Sequence, residues 1–274
     1  MREETVLVTG CSSGIGRATA ERFADEGWTV YATSRDPDDV ADLADAGCET
    51  ARLDVTSGDD VERVRDRILE EAGRIDCLVN NAGYGQYGPL EDLPADVVHD
   101  QFDVNVYGPH RLVRAVLPAM RERGEGTIVN VSSVNGRIAT PGNGAYAASK
   151  FALEAMSDAL RAEVAGFGVD VVLVEPGPVG TRFQDRSTDS LEEAERRPAY
   201  EWVYDAFADR EVIDPASFLA VEPEAVARTI HDAASVSDPD PRYPVGRPAK
   251  LLLLARFLPH RLRDAVYGLF RRLP

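Results

Sequence analysis

A serine, a tyrosine and a lysine stand within eighteen consecutive positions, and together they can handle one proton. Tyr146 opens a run of helix-forming residues, so Lys150, four positions later, should lie on the same helix face. A cation held within about 4–6 Å favours a phenolate, and we expect Lys150 to lower the pKa of Tyr146 from its ordinary value near ~10. Such a phenol can exchange a proton with an alcohol or a carbonyl oxygen. A Tyr/Lys pair at this spacing is also common on helix surfaces, so the pair alone does not decide the matter.

Ser133 is the residue predicted to bring a hydroxyl to the same place. It ends an apolar strand over residues 126–133 and stands thirteen positions before Tyr146. A loop of that length can return the chain so that the two side chains meet. Ser132 is the competing neighbour, but alternation along a strand sends its side chain to the opposite face. We therefore select Ser133.

A glycine-rich turn near the start of the chain predicts a nucleotide site. Residues 5–9 have the pattern of a short apolar strand, the spacing Gly10-x-x-x-Gly14-x-Gly16 follows, and a helix begins near Arg17. Glycines in a strand-turn-helix unit let the backbone approach a pyrophosphate at the helix N-terminus, as a dinucleotide fingerprint requires. The interval is one residue wider than the usual G-x-G-x-x-G. The turn residues predicted to contact the cofactor are Gly10, Ser12, Ser13, Gly14, Ile15 and Gly16.

The joint occurrence of these motifs resembles the short-chain dehydrogenase/reductase (SDR) family. Asn80-Asn81-Ala82-Gly83, Asn105 and Pro176-Gly177 stand in the order and spacing typical of that family, from residue 5 to about 181. The segment from Arg242 to Gly246 and the Leu/Arg-rich end resemble its hydroxysteroid and retinol dehydrogenase-like branch. The resemblance implies an α/β fold in one domain spanning residues 1–274: a Rossmann-type doubly wound parallel sheet with helices on both faces.

The resemblance also implies roles for individual residues. Tyr146, Lys150, Ser133 and Asn105 would be catalytic, with Asn105 holding a water that links Lys150 to solvent. A nicotinamide dinucleotide would supply the hydride. The other cofactor contacts implied are Asp54, which would accept from the adenine amine, Thr181, which would contact the carboxamide, and Val55, Asn81, Ala82, Gly83, Tyr146, Lys150, Pro176, Gly177 and Val179.

The ribose side of the site predicts which dinucleotide is used. A second strand ends near Ser34, where an acidic residue would bind the 2′-hydroxyl of NAD and an arginine would accommodate the 2′-phosphate of NADP. Arg35 follows Ser34, and its planar guanidinium suits a phosphate. NADP is therefore favoured. Asp36 keeps NAD open, and a solvated loop arginine is the plain alternative.

The marked residues should converge on one edge of the sheet. Strands alternate with helices along the chain, which predicts parallel strands with right-handed crossovers. Ligands bind outside the carboxyl ends of strands in such a sheet. Gly10, Asp54, Asn80 and Ser133 all fall at predicted strand ends, which supports a single site.

The helix that carries Asn105 is expected to be irregular. It begins near Asp100 and is interrupted by Gly108 and Pro109. Proline lacks a backbone donor, so the carbonyl of Asn105 loses its usual partner and becomes available to a water. The alternative is an ordinary proline kink in which the asparagine is merely tolerated.

The charge and the lysine content of the chain bear on its partners and its solvent. The formal net charge of −17 argues against a nucleic-acid partner, because phosphates would be repelled. Lys150 and Lys250 are the only lysines. An acidic chain almost without lysine is typical of a salt-adapted protein, although a GC-rich genome would also favour arginine.

Cysteine usage and the N-terminus indicate a cytoplasmic protein. Cys11, Cys48 and Cys77 are odd in number and follow no ligand spacing, so we expect neither a disulfide framework nor a zinc site. The first four residues lead directly into a strand, which leaves no room for a signal peptide.

Residues 182–222 are predicted to form a lid over the substrate. Aromatic residues set among charges at the edge of an active site suggest closure over an apolar molecule. A surface helical excursion with its aromatics packed on the core is the alternative. The aromatic residues are Phe183, Tyr200, Trp202, Tyr204, Phe207 and Phe218.

Residues 246–274 form a basic amphipathic tail. This segment carries about +6, whereas the remainder of the chain carries about −23. Its apolar stretches are too short to span a bilayer. The tail can dock on the acidic body of its own or a sister subunit, bind anionic lipid peripherally through residues 247–274, or cover the entrance for a lipophilic substrate. By resemblance, the protein should be a homodimer or homotetramer.

Together these observations predict an NADP(H)-dependent alcohol dehydrogenase/carbonyl reductase. It would transfer a hydride between the nicotinamide and a lipophilic secondary alcohol or carbonyl. No metal is needed, because Ser133 and Tyr146 polarise the substrate oxygen. A non-catalytic dinucleotide-binding sensor or scaffold is the alternative from another class, and a membrane-peripheral lipid-modifying reductase is a third.

Overall fold

A parallel β-sheet forms the centre of the protein. The computed structural model describes residues 4–179, 196–208, 220–246, 249, 253 and 255–270. Within these residues the sheet has seven strands in the order β3-β2-β1-β4-β5-β6-β7, and all of the pairs are parallel. The strands are β1 (Thr5–Thr9), β2 (Thr29–Ser34), β3 (Glu49–Arg52), β4 (Cys77–Asn80), β5 (Gly126–Val131), β6 (Val169–Pro176) and β7 (Arg242–Val245).

Helices cover both faces of this sheet. Alternation along β1 places Val6 and Val8 in one hydrophobic cluster, with the helix residues Phe23 and Ile230, and places Leu7 in the other. The predicted doubly wound α/β fold is therefore confirmed. The helices are α1 (Gly14–Asp25), α2 (Gly58–Glu71), α3 (Ala95–Phe102), α4 (Gly108–Arg123), α5 (Gly144–Val164), α6 (Glu201–Ala208), α7 (Pro223–Ser235) and α8 (His260–Phe270).

The strand order reverses between β1 and β4, although the strands themselves are parallel. β1 pairs with β2 on one side and with β4 on the other, so the connections leave in opposite directions and open a crevice at the carboxyl ends. Gly10 follows β1 and Asn80 ends β4, as expected. Asp54 lies just beyond β3 and Ser133 just beyond β5. The predicted convergence at one edge is confirmed.

The irregular helix differs from the prediction in where it is interrupted. A π-helical turn over Asp103–Tyr107 separates α3 from α4, and the Gly108 N–H donates to the carbonyl of Asp103, five residues back. Gly108 and Pro109 begin α4 instead of breaking it. A proline is tolerated in the first turn of α4, because its fixed φ suits the start of a helix.

A chain of buried amides ties the sheet to α5. Asn80 Nδ2 donates to Asn130 Oδ1 at 2.8 Å, linking β4 to β5. Asn130 Nδ2 donates to Ser157 Oγ at 2.8 Å, and that hydroxyl donates to the Leu153 carbonyl at 2.7 Å. This network holds α5, the helix of Tyr146 and Lys150, in a fixed position over the strand ends.

We expect Asn130→Leu to lower the free energy of unfolding by about 1–3 kcal/mol, because it leaves the buried Asn80 amide and the Ser157 hydroxyl without their partner. Urea denaturation followed by circular dichroism measures the change. The double variant Asn80→Leu/Asn130→Leu is the control, and it should lose less than the sum of the single variants, since the orphaned Asn80 amide is removed as well. An unchanged urea midpoint in Asn130→Leu would contradict the role of this network.

Candidate active site

Tyr146 and Lys150 lie on the buried face of α5, at the carboxyl end of β5. Each side chain is only 6% exposed, and the Lys150 Nζ lies 5.8 Å from the centroid of the Tyr146 ring. The ammonium donates to the carbonyl oxygen of Val131 at 2.9 Å. Both residues therefore lie in the crevice. The alternative interpretation of their spacing, a Tyr/Lys pair on the helix surface, is wrong.

Ser133 meets Tyr146 as the loop length predicts. The residue has an extended backbone directly after β5, and its Oγ accepts from the Asn135 N–H at 3.1 Å. The same hydroxyl is hydrogen-bonded to the phenol of Tyr146 and lowers its pKa. Ser132 lies beside Glu154 instead. The structure therefore places Ser133, and not Ser132, beside the Tyr146 phenol.

The net effect of the surroundings on Tyr146 differs from the expectation. Burial raises the pKa of the phenol, the nearby Tyr87 acts in the same direction, and the Ser133 hydrogen bond opposes them. Desolvation disfavours the charged form, and here it outweighs any help from the cation. Burial also lowers the pKa of Lys150, to about 8, while the charge of Glu154 raises it.

Tyr87 is a site residue that the sequence did not reveal. Its ring lies 5.7 Å from that of Tyr146, at an interplanar angle of 48°. Gly85 allows this approach, because a Cβ there would lie 2.8 Å from the Tyr87 ring. The sequence contained one sign of this residue: the stretch 83–88, which follows Asn80 and Asn81 closely, is rich in glycine and tyrosine.

Asn105 fastens the loop after β4 to α5. Its Oδ1 accepts from the Tyr84 N–H at 3.1 Å, and its Nδ2 donates to the Tyr84 carbonyl at 2.8 Å and to Ser149 Oγ at 3.1 Å. Ser149 in turn donates to the carbonyl of Tyr146 at 2.7 Å. Since the amide is engaged at both ends, the predicted water would have to be held by the main chain of Asn105.

The glycine turn brings backbone segments closer together than a side chain would allow. Gly10 has φ of +73° and Gly14 of +58°, both in the left-handed region. A Cβ on Gly16 would lie 2.2 Å from the Gly10 carbonyl oxygen. Asn81 Nδ2 fixes the turn by donating to the carbonyls of Thr9, at 2.9 Å, and Gly10, at 3.1 Å.

The start of α1 fits an anionic group. Ser12, Ser13 and Ile15 are half-buried in the turn, and Ser13 is the N-cap of α1 without a capping hydrogen bond from its own hydroxyl. Free backbone donors and the helix dipole favour negative charge at such an end. The residues present therefore fit the pyrophosphate of a dinucleotide.

The adenosine side of the crevice holds Arg35, Asp54 and Val55. Arg35 is exposed directly after β2, and among the described residues no carboxylate pairs with it. Its charge opposes the burial that raises the pKa of Tyr84, so the guanidinium lies within electrostatic range of that side chain. Asp54 Oδ1 accepts from the N–H of Thr56 at 2.9 Å and from its hydroxyl at 2.7 Å, while Val55 packs against Gly108.

The remaining predicted cofactor residues line the same edge. The Ala82 N–H donates to Thr9 Oγ1 at 3.1 Å, and Gly83 lies against Asn105 Oδ1. Pro176 ends β6, the Gly177 N–H donates to the Val245 carbonyl at 3.1 Å, and Val179 bridges to Val221. Thr181 lies outside the described residues.

Part of the predicted lid packs on the loop after β4. Tyr204 donates to Asp92 Oδ2 at 2.6 Å, and Arg197 pairs with Asp92 Oδ1 at 2.5 Å. Phe183 and Phe218 lie outside the described residues. The contact forms a cavity of about 260 Å³, lined by Pro89, Leu90, Glu91, Thr140, Pro141, Gly142, Gly144, Tyr200, Trp202 and Val203.

The tail touches the protein beside the catalytic helix. Tyr267 of α8 donates to the carbonyl of Ala139 at 3.0 Å, in the loop that leads to Tyr146. Phe257, Leu258 and Leu262 are exposed on the same segment. None of the helices that the structure describes has the length and apolarity to cross a bilayer.

Known proteins resemble the chain over most of its length. Residues 4–192 match the family model of short chain dehydrogenases. An uncharacterized oxidoreductase of Escherichia coli, YbbO, is 40% identical over 270 residues, covering 96% of this chain and 94% of its own. Human 17-beta-hydroxysteroid dehydrogenase type 1 is 39% identical over 89% of this chain and 77% of its own. Bovine retinol dehydrogenase 8 is 42% identical over 70% of this chain and 64% of its own.

Solved structures show the same architecture. A short-chain dehydrogenase from Streptomyces avermitilis superposes with a TM-score of 0.82 at 35% identity, covering 98% of this chain and 95% of that one. An SDR from Burkholderia phymatum, in complex with NAD, gives 0.80 at 29% identity over 96% of this chain and 95% of that one. A metagenomic SDR, in complex with NADP, gives 0.69 at 27% identity over 88% and 96%.

The family match covers well over half of the chain, and relatives at this identity span nearly all of it. The assembled serine, tyrosine and lysine stand beside a glycine turn in a doubly wound sheet, as the motifs predicted. The chain belongs to the short-chain dehydrogenase family and is an oxidoreductase.

Proposed function

We propose that the protein is an NADP(H)-dependent alcohol dehydrogenase/carbonyl reductase acting on a lipophilic secondary alcohol or its carbonyl. The observation that carries this proposal is the hydrogen bond between the Ser133 hydroxyl and the Tyr146 phenol, with the Lys150 ammonium one helical turn away. Such a cluster can bind and protonate one oxygen atom. It lies at the same strand ends as the glycine turn.

The proton is handled by this chain's own residues. Tyr146 gives its phenolic proton to the carbonyl oxygen in reduction and takes it back from the alcohol in oxidation, and Ser133 donates a hydrogen bond to that oxygen. The ammonium of Lys150 stabilises the phenolate that remains and holds the nicotinamide ribose. A bound nicotinamide dinucleotide supplies or accepts the hydride. The main chain of Asn105 holds a water that restores the proton through Lys150.

The raised pKa of Tyr146 suits its role as the acid. A phenol shielded from water keeps its proton at neutral pH, so it is ready to protonate a carbonyl. Its conjugate base then depends on the positive charge of Lys150.

A lipophilic substrate is proposed from the cavity beside the lid. Leu90, Pro141, Trp202 and Val203 contribute apolar walls, and Tyr200 lines the cavity with its hydroxyl donated to Glu91. Pockets of this kind bind apolar molecules and orient them with a few polar groups. The relatives named as hydroxysteroid and retinol dehydrogenases support the same class.

NADP is proposed over NAD because of Arg35. Arg35 is exposed directly after β2 and its charge reaches Tyr84, and a guanidinium at this strand end suits a 2′-phosphate. The solved structures named above include one with NADP and one with NAD, so they support a nicotinamide dinucleotide in general.

The further parts of the proposal concern the segments around the site. We propose that residues 182–222 close over the substrate and that the tail docks on its own body beside Ala139, supported by the Tyr204–Asp92 and Tyr267–Ala139 contacts. A cytoplasmic, salt-adapted homodimer or homotetramer remains the expectation from the sequence. Binding of the tail to anionic lipid is the competing proposal.

We expect Tyr146→Phe to lower kcat for reduction by about 100-fold or more, because the phenolic proton is lost while the ring is kept. NADPH consumption with a panel of aromatic and lipophilic ketones and aldehydes measures the rate, and fluorescence titration should show cofactor binding within twofold of the unaltered protein. Full activity in this variant would refute the proposal. Tight NADPH binding by the unaltered protein without turnover of any compound would favour the sensor.

We expect Arg35→Gln to raise the Kd for NADPH by about 10- to 100-fold and to change that for NADH less than twofold, because a charged hydrogen bond to the 2′-phosphate is lost. Isothermal titration calorimetry measures both constants. Arg228→Gln is the matched control, since Arg228 is exposed on α7. Equal effects of Arg35→Gln on the two cofactors would contradict the preference for NADP.

A further inference from the structure

Two buried carboxylates and two arginines lie behind Ser133, where β5, β6, β7 and α5 meet. Glu154 on α5 is 5% exposed and Glu175 on β6 is 1% exposed. Arg137 pairs with Glu175 at 2.7 Å, and Arg242 Nε lies 3.2 Å from Glu154 and 3.4 Å from Glu175. Burying carboxylates is unfavourable unless they are paired, so a group of this kind requires a reason.

Glu154 is placed on the active-site face of its helix. It stands four residues after Lys150 and eight after Tyr146, so the three side chains follow one face of α5. Its side chain packs against Ser132 and Gly136, because a Cβ on Gly136 would lie 2.7 Å from Ser132 Oγ and 2.9 Å from Glu154 Cγ. The carboxylate therefore lies directly behind the end of β5, where Lys150 is hydrogen-bonded.

Arg242 does not need Glu154 as a partner. Its Nη2 donates to both carboxylate oxygens of Asp158 at 2.6 Å, and Glu175 is within reach as well. The other oxygen of Glu154, Oε1, lies beside Gly136 together with the Ser132 hydroxyl, whose hydrogen bond lowers the pKa of the carboxylate.

We propose that Glu154 is a positioning residue, whose buried carboxylate one helical turn beyond Lys150 keeps the Lys150 ammonium charged and directed at the reacting end of the crevice. The effect of Glu154 on the protonation of Lys150 does not depend on the proposed function. The consequence for turnover rests on the proposed function, because it acts through the phenolate of Tyr146.

The charges around both groups support this role. Burial lowers the pKa of Lys150 to about 8, and Glu154 raises it. Burial raises the pKa of Glu154, as does Glu175, whereas Ser132, Arg242 and Arg137 lower it. Asp158, one turn further along α5, pairs with Arg242 and Arg161 and is half exposed. Without Glu154, the ammonium would lose its proton at a lower pH.

The test uses the fact that the chain has only two lysines, Lys150 and Lys250. Full-length protein labelled with [13Cε, 15Nζ]-lysine gives two signals, and Lys250→Arg assigns them. We expect the titration midpoint of Lys150 to fall by about 0.5 pH unit or more in Glu154→Gln, because the neutral amide keeps the volume and removes the charge. This readout does not require a substrate.

Two further variants make the outcome decisive. Asp158→Asn removes a carboxylate from the same arginine and should leave the Lys150 midpoint within about 0.2 unit. Glu154→Asp retains the charge and should move the midpoint less than Glu154→Gln does. If the Gln variant does not fold, Glu154→Met is the second neutral replacement, and it should lower the midpoint by the same amount, about 0.5 unit or more. A midpoint unchanged in Glu154→Gln, or shifted equally in Asp158→Asn or in Glu154→Asp, would overturn the proposal.

A kinetic measurement separates this inference from the proposed function. With a reducible ketone, the alkaline limb of the kcat–pH profile should move to lower pH in Glu154→Gln, in step with the Lys150 midpoint. A Lys150 midpoint that shifts in a protein without activity on any compound would uphold the positioning role and defeat the proposed reaction. An alkaline limb that stays in place while the midpoint shifts would overturn the catalytic consequence.

Discussion

The burial of one ammonium group at the end of β5 is the constraint on which the rest of the site depends. Lys150 donates a hydrogen bond to the Val131 carbonyl and lies over the ring of Tyr146. A charge in this position is unfavourable unless its surroundings compensate. The phenol, the serine hydroxyl and the Glu154 carboxylate are arranged around it, and the same exclusion of water strengthens every interaction between them.

The two sides of the active site are held by different kinds of contact. On the cofactor side the backbone itself forms the surface, because Gly10 and Gly16 approach each other more closely than any side chain allows. On the proton-transfer side, asparagine amides act as braces. Asn105 joins the loop after β4 to α5, and Asn130 joins the sheet to the same helix. Rigid support of this kind holds reacting groups within the small tolerance that proton transfer requires.

The acidic residues of this protein have different effects according to whether they are exposed or buried. The chain as a whole is strongly acidic, yet the carboxylates behind the active site are buried and paired with Arg137 and Arg242. Surface acids chiefly affect solubility and response to salt. The buried ones act locally, on the protonation of their neighbours, because little solvent separates them.

Much of the fold and of the site was open to prediction from the sequence. The features that could be predicted are local patterns, because local patterns set residue type and strand position. They are the alternation of strands and helices, the glycines after β1, Asn80 at the end of β4 and the spacing of Ser133, Tyr146 and Lys150. The helix that carries Asn105 was predicted to be interrupted at Gly108 and Pro109, whereas its irregularity is a π-helical turn at Asp103–Tyr107, because Pro109 signals an irregularity without showing on which side it falls.

The sequence by itself determined which chemical groups meet at the strand ends, since helical spacing and strand alternation fix neighbours over a few residues. Only the tertiary structure decided the environment of those groups. Tyr87 against Tyr146, and Arg242 against Glu154, 88 residues apart, are contacts made by packing. Burial reversed the expected direction of the Tyr146 pKa, because desolvation depends on everything that surrounds a side chain and not on its position in the chain.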